Sequence, residues 1–359
     1  MPRSAWKDLP RRLLTVTLGV PSIILLLRNP ITSWLFFQGA HLLCLIEWRA
    51  LIPPATDDSE ETISNNSNND NAAKKPPKEN ILQAFLTGII TEETANSSPL
   101  SKYMFYLFCF FSLLITILPT PFLPLGLMSY GIAVRLLPHL PSFQSSDPTN
   151  TTFFTAMQHY QFGILYLSIG FHFILQVSKI GGPIHIGNLL FVVWMSDTGA
   201  LVLGRLMKKR KNHAAEEGNA TNHNQNGIFL SFLKSISPGK TLPGLLGATI
   251  TGPISALIYP ISLSSSTVYV SEEQCDQEAT FLATILHLRR HFYHPLSQKM
   301  ILGLILSLAG IVGDLAESSV KRLSKKKDSG GLLPGHGGVV DRFDSLFVAG
   351  VVYYYFVFA

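Results

Sequence analysis

The chain has 359 residues, with 28 Lys+Arg against 23 Asp+Glu for a formal charge of +5, and only 14% of its residues are charged. An ordinary soluble domain carries about 25%. With 47% hydrophobic residues and a mean hydropathy of +0.27, the composition excludes a disordered tail, a coiled coil and a disulfide scaffold, and favours a multi-spanning membrane protein.

The first apolar run, Leu13 to Leu27, lies between Arg11-Arg12 and Arg28. No small-residue cleavage site follows it and another apolar run comes at once, so a retained helix is expected. The second run covers Ser33 to Trp48 and closes on Glu47-Trp48-Arg49. From Pro53 to Asn80 the chain is rich in Asn, Asp, Glu, Ser and Lys, a composition that cannot bury a core and reads as a disordered insertion. Apolar runs resume at Tyr103–Leu118, Phe122–Leu137, Tyr160–Val177, Ile186–Leu206, Leu242–Leu263, Met300–Val312 and Phe343–Ala359. They are apolar on all faces, which predicts an all-α, polytopic transmembrane bundle of about nine spans. The expected organisation is N-terminal membrane helices over 1–52, a polar loop over 53–100, central membrane helices over 101–185 and a C-terminal membrane domain over 186–359. That last domain carries polar insertions at 212–227 and 264–298.

Lys and Arg set the orientation. Arg3, Lys7, Arg11 and Arg12 precede the first span, and alternation over nine spans puts the clusters Arg205–Lys211, Lys234–Lys240 and Lys321–Lys327 on the same side. This fits a cytoplasmic face. Arg289-Arg290 falls on the other side, a mild conflict that a re-entrant Ser271–Gln298 segment would remove. The basic residues lie between apolar runs and not on one polar domain, so nucleic acid is not an expected partner. Cys44, Cys109 and Cys275 lack metal or redox spacing and read as structural thiols.

Asp197 interrupts an apolar run in Trp194-Met195-Ser196-Asp197-Thr198-Gly199-Ala200. An ionisable residue at membrane depth usually marks a site; the plainer alternative is a structural partner for Arg205. Asn188 and His172 are expected to make interhelical hydrogen bonds. Ser237-Pro238-Gly239-Lys240-Thr241 looks like half of a phosphate loop, but Lys234 stands where a full one needs glycine. The densest stretch is Gly313-Asp314-Leu315-Ala316-Glu317-Ser318-Ser319-Val320-Lys321-Arg322. On a helix, Asp314, Glu317, Ser318 and Lys321 share one face. Then come Lys325-Lys326-Lys327-Asp328-Ser329-Gly330-Gly331, His336 between glycines, and Asp341-Arg342-Phe343-Asp344. Glycine-bent backbone, carboxylates at helical spacing and many cations together describe a metal–polyphosphate site.

Residues Ser318 to Asp344 resemble the signature of the phosphatidate cytidylyltransferases, or CDP-diacylglycerol synthases. Ser318, Val320, Lys321-Arg322, Lys327-Asp328, Leu333-Pro334, His336-Gly337-Gly338 and Asp341-Arg342-Phe343-Asp344 fill its fixed places. The segments Ser196–Ala200, Ser237–Thr241 and Gly313–Ser318 are similar to further family motifs, so the resemblance covers Ile186 to the C-terminus. Leu242-Pro243-Gly244 departs from the family, which commonly has an aromatic residue and then Glu there.

The resemblance implies that the 186–359 domain is catalytic and joins CTP to phosphatidate, giving CDP-diacylglycerol and diphosphate, with Mg2+ and room for a second, monovalent or divalent cation. Asp314 and Asp341 are the implied metal ligands, with Asp344 and Glu317 as second choices. Lys240, Lys321, Arg322, Lys327 and Arg342 would hold phosphates, Asp197 and Ser237 (with Thr241) would organise the nucleotide pocket, and His336 would bind phosphate or orient a ligand. The site would be a polar funnel at the cytoplasmic (or stromal or matrix) end of a multi-pass protein embedded in the bilayer, and a homodimer is compatible with it; the organelle stays open. The rival readings are a CTP-dependent polyprenol- or phytol-type lipid kinase and, from another class, a membrane transporter with Asp197 and His172 along its path.

Overall fold

The computed structural model describes residues 21–52, 99–136, 151–216, 236–237, 240–259, 295–330 and 337–358. Among these, every regular element is a helix. The start of the first apolar run, the Asn-rich loop, residues 217–227, residues 264–294 with Arg289-Arg290, and His336 lie outside the described residues.

Residues 21–28 are helical. Helix α1, Pro30–Ala50, starts where its local chemistry says it should: the Asn29 side chain accepts from the Ile31 amide at 2.9 Å, and Pro30 occupies a first position that needs no donor. Helix α2 is Pro99–Ile117; a 3-10 turn, Thr120–Phe122, leads into α3, Leu123–Leu136. Helix α4, Thr151–Gly163, passes through one π-helical turn, Ile164–Ser168, into α5, Ile169–Glu216. Helices α6, Leu242–Ile258, α7, Pro295–Leu323, and α8, Val340–Phe358, complete the set.

Helix α5 is two arms. Gly182 stands at φ 63°, ψ −163°, a left-handed conformation that glycine adopts without penalty, and Pro183 follows it. Contacts with α8 give the geometry. Before Gly182 they climb α8, from Gly170 on Phe347 to Ile174 on Gly350 and Gly181 on Phe358. After it they descend, from His185 on Phe358 to Asn188 on Tyr353 and Asp197 on Ser345. The chain therefore reverses at Gly182; the run read at Tyr160–Val177 starts in α4 and ends on the first arm, and Ile186–Leu206 falls on the second.

The same pairings show that consecutive helices alternate in direction. Arm 183–216 runs antiparallel to α6, with Gly199 on Gly247 and Thr251, and Gly204 on Thr241 and Gly244. Helix α6 runs antiparallel to α7 through Gly252 on Gly303 and Ser307, and α7 antiparallel to α8 through Gly310 on Ser345 and Gly313 on Asp344. A Cβ on Gly303 would lie 2.5 Å from the Gly252 carbonyl oxygen. Small residues at these crossings let the backbones touch, which is how helices associate where no hydrophobic drive separates helix from lipid. In the N-terminal part, α1 pairs antiparallel with α2 (Gln38 with Thr116, His41 with Ser112) and with the α4–α5 rod (Ser33 with Ser178, Trp48 with His159).

Two stretches, Phe154–Met207 and Leu296–Leu323, are long and apolar enough to cross a membrane; the first includes the Gly182 reversal. Helix α5 continues to Glu216, into the polar segment expected to be an insertion from 212, because Ala214-Ala215-Glu216 favours helix. Helix α7 likewise begins at Pro295, inside the expected 264–298 insertion, with proline at a favoured first position.

If the α6–α7 crossing sustains the bundle, Gly303→Val must push two backbones apart. We expect a loss of about 1–3 kcal/mol, seen as a lower thermal unfolding midpoint in detergent, while valine at the exposed Leu304 leaves the midpoint nearly unchanged.

Candidate active site

Helix α7 runs unbroken to Leu323, so Asp314, Glu317, Ser318 and Lys321 do lie along one stripe. The stripe faces the first turn of α8. Gly313 makes this possible: a Cβ there would meet the Asp344 carbonyl oxygen at 2.3 Å, so only glycine lets α8 come this close. The carboxylates of Asp314, Glu317 and Asp344 then lie with ligand atoms within 4.8 Å of one another. Glu317 is fully buried. Two lysines offset this charge. Lys240 bridges Asp314 at 2.8 Å, and Lys321 bridges Glu317 at 2.5 Å and Asp341 at 2.7 Å. Ser318 Oγ donates to Asp314 Oδ1 at 3.2 Å.

Asp341 takes a different place from the other three. Its Oδ1 accepts from Lys321, and its Oδ2 accepts from the amides of Gly338 at 2.9 Å and Ser329 at 3.1 Å. It ties the two ends of the α7–α8 connection to α7. Of the four acids singled out in the sequence, Asp314, Glu317 and Asp344 form the compact group, and Asp341 stands beside it, bonded through both oxygens.

Lys240 reaches the group from the start of α6. Its amide donates to the Ser237 carbonyl at 3.0 Å, closing a turn, and its Nζ also donates to the Ile311 carbonyl. Thr241 is the N-cap of α6, its Oγ1 accepting from the Gly244 amide at 3.2 Å. Pro243 falls in the first helical turn, where no donor is lost, so the departure Leu242-Pro243-Gly244 is compatible with an ordinary helix start. Asp197 lies beside Ser345, one residue from Asp344, and within electrostatic reach of Asp314 and Lys240. The neighbouring hydroxyls serve the backbone, Ser196 donating to the Ala248 carbonyl and Thr198 to that of Trp194. Asn188 bonds Tyr353 at 3.2 Å, and His172 bonds the Ile115 carbonyl at 2.9 Å, as interhelical hydrogen bonds.

The remaining cations rim this end. Arg322 Nε donates to the Ile236 carbonyl at 3.3 Å. Helix α7 ends in a paired closure, with Lys325 N–H to Arg322 O and Lys326 N–H to Lys321 O, and Lys325 at φ 53° in the place glycine usually takes. Lys327 and Arg342 are exposed. His336 lies outside the described residues.

Two residues not singled out in the sequence shape the site. Tyr166, in the π-helical turn, donates to the carbonyls of Gly313 at 2.8 Å and Asp344 at 3.1 Å, the two backbone groups next to the carboxylate cluster. Single π-turns inside α-helices recur at functional sites. Glu47 of α1 is buried; its Oε2 accepts from the Val340 amide at 2.9 Å and from Ser329 Oγ at 3.2 Å.

Residues 10–215 and 231–359 match the sequence profile of the Cytidylyltransferase family. The chain is 30% identical to a phosphatidate cytidylyltransferase of Bacillus subtilis over 208 residues, 57% of this chain and 60% of that protein. It is 34% identical to one of Staphylococcus saprophyticus over 182 residues, 51% of this chain and 52% of that protein. A third, from Staphylococcus aureus, is 32% identical over 184 residues, again 51% and 52%. The chain thus spans between half and two thirds of the length of these curated relatives.

Removing the Tyr166 hydroxyl should loosen the α7–α8 crossing. We expect Tyr166→Phe to cost about 0.5–1.5 kcal/mol, read as a lower unfolding midpoint, while Tyr106→Phe, on an exposed ring, changes nothing.

Proposed function

The chain belongs to the cytidylyltransferase family, and we propose that it joins CTP to phosphatidate, releasing diphosphate and forming CDP-diacylglycerol. The observation that carries this reading is the gathering of three carboxylates and two lysines from α7, α8 and the residues leading into α6 at one end of the bundle. A phosphate oxygen of the lipid attacks the α-phosphorus of CTP. The P–O bond between the α-phosphorus and the α–β bridging oxygen breaks, and its electron pair leaves on diphosphate. The nucleophile is already anionic, so the reaction needs charge neutralisation more than a strong base.

The donor set fits a hard divalent cation: three oxygen-bearing side chains lie within 4.8 Å of each other, and Glu317 Oε1 is buried without a hydrogen bond among the described residues, while Oε2 meets Lys321. Asp314, Glu317 and Asp344 would hold magnesium, which would supply Lewis-acid stabilisation of charge on the reacting phosphoryl group. Lys240 and Lys321 lie within ion-pair distance of these same carboxylates and are placed to exchange toward substrate phosphates. Arg322, Lys327 and Arg342 would attract the two polyanions. Asp197 would orient the nucleotide side of the pocket through Ser345.

The alternating helices support a multi-pass reading of about nine crossings with the site at one membrane face. Arg49, Lys102, Arg135, Arg205, Lys240, Lys321 and Arg322 sit at the helix ends that carry the site, whereas Arg28, Lys179 and Lys299 sit at the opposite ends. That bias supports a cytoplasmic site open to CTP from water and to lipid from the side.

The decisive assay supplies membranes containing the protein with phosphatidate, Mg2+ and CTP labelled in either the α- or the γ-phosphate. Label from the α-position should enter lipid and label from the γ-position should leave as diphosphate. Transfer of γ-label to lipid would mean a kinase, and flux without CTP use a transporter. Asp314→Asn and Asp344→Asn should each lower turnover by about a hundredfold or more with insertion unchanged, and chelation should abolish activity until Mg2+ is restored.

A further inference from the structure

Glu47 lies far from the signature segments in sequence, yet it is built into the connection they form. Its Oε2 accepts from Ser329 Oγ on the segment leaving α7 and from the Val340 amide at the start of α8. Both glycines that flank these donors pack against the same carboxylate. A Cβ on Gly330 would fall 2.6 Å from Glu47 Oε1, and one on Gly338 would fall 2.6 Å from Oε2. The end of α1 is docked alongside by two further bonds, Ser324 Oγ to the Leu51 carbonyl and Lys326 Nζ to the Ala50 carbonyl. Glu47 is 4% exposed, and a buried carboxylate is costly unless its hydrogen bonds are needed where they are made.

The two stems that Glu47 joins are the ones Asp341 also joins, through the Ser329 and Gly338 amides. Two carboxylates thus grip one loop. Asp341 ties it to Lys321 and the stripe on α7; Glu47 ties it to α1.

We propose that Glu47 is a positioning residue for the transfer reaction: it holds the stems of the α7–α8 connection in register, so that Asp341 keeps Lys321 in a fixed arrangement toward substrate. The effect on turnover rests on the activity proposed above; the grip on the loop does not. Glutamine can accept the same two hydrogen bonds through its carbonyl oxygen, whereas alanine can accept neither and aspartate is one methylene too short.

The test compares Glu47→Gln, Glu47→Ala and Glu47→Asp in the full-length protein in detergent or membranes, with Ser33→Ala, at the far end of α1, as control. Hydrogen exchange is read at the Ser329, Gly338 and Val340 amides, and turnover is read with CTP and phosphatidate. Alanine and aspartate should each speed exchange at these amides and lower kcat about tenfold to a hundredfold. Glutamine should keep kcat within about threefold of the parent, and Ser33→Ala should change neither readout. If alanine does not fold, aspartate carries the comparison. Unchanged exchange in both alanine and aspartate variants would overturn the grip, and a glutamine variant as impaired as alanine would overturn positioning by hydrogen bonding. A parent protein inactive on these substrates, with exchange still responding, would overturn the activity and leave the grip standing.

Discussion

The constraint on which this molecule turns is the crossing of α7 and α8 at Gly313. There, three carboxylates must share a small volume. Two like charges about 5 Å apart repel by about 3–4 kcal/mol at an effective dielectric of about 20, so three ionised acids would open the crossing unless cations or a metal answered them. Lys240 and Lys321 answer them directly. The price is close backbone contact: only glycine at 313 admits α8, and Tyr166 bridges the Gly313 and Asp344 carbonyls.

Much of the remaining architecture positions those few groups. The reversal at Gly182 folds α5 along α8 twice, so one arm delivers Phe171 and Ile174 to the core while the other delivers Asp197 to Ser345. The glycine contacts of arm 183–216 with α6, and of α6 with α7, set the height at which Lys240 reaches Asp314. From the N-terminal part, α1 contributes a buried aromatic face, with Phe37 and Trp48 fully enclosed, and one of the two carboxylates that grip the α7–α8 connection. The site is therefore not the property of the signature segment alone.

The helices and the polar stripe were legible in the sequence because their signals are local. Apolar runs and the i, i+3, i+4, i+7 spacing of Asp314 to Lys321 need no knowledge of neighbours. The division of roles among the acids was not legible. Asp341 and Asp344 are three residues apart on one helix, yet Asp344 joins the compact group while Asp341 turns to the loop amides; that depends on the angle at which α8 meets α7. Glu47 carried a weak signal, a carboxylate at the end of an apolar run, which is also where an interfacial acid commonly sits. Tyr166 carried none, since a tyrosine in an apolar run is ordinary and the π-turn that aims it leaves no pattern in composition. Thr241 was read for the nucleotide pocket and is seen capping α6, a role that Thr followed by Leu-Pro-Gly satisfies locally.

The central claim is that Asp314, Glu317 and Asp344 form a cation site that works on the nucleotide triphosphate. The most direct measurement is pulsed electron paramagnetic resonance on the purified protein with Mn2+ and CTP. Phosphorus hyperfine coupling to the bound ion is expected, lost together with tight Mn2+ binding in an Asp314→Asn, Asp344→Asn double variant that still folds. Mn2+ binding and phosphorus coupling that persist unchanged in that variant would contradict it.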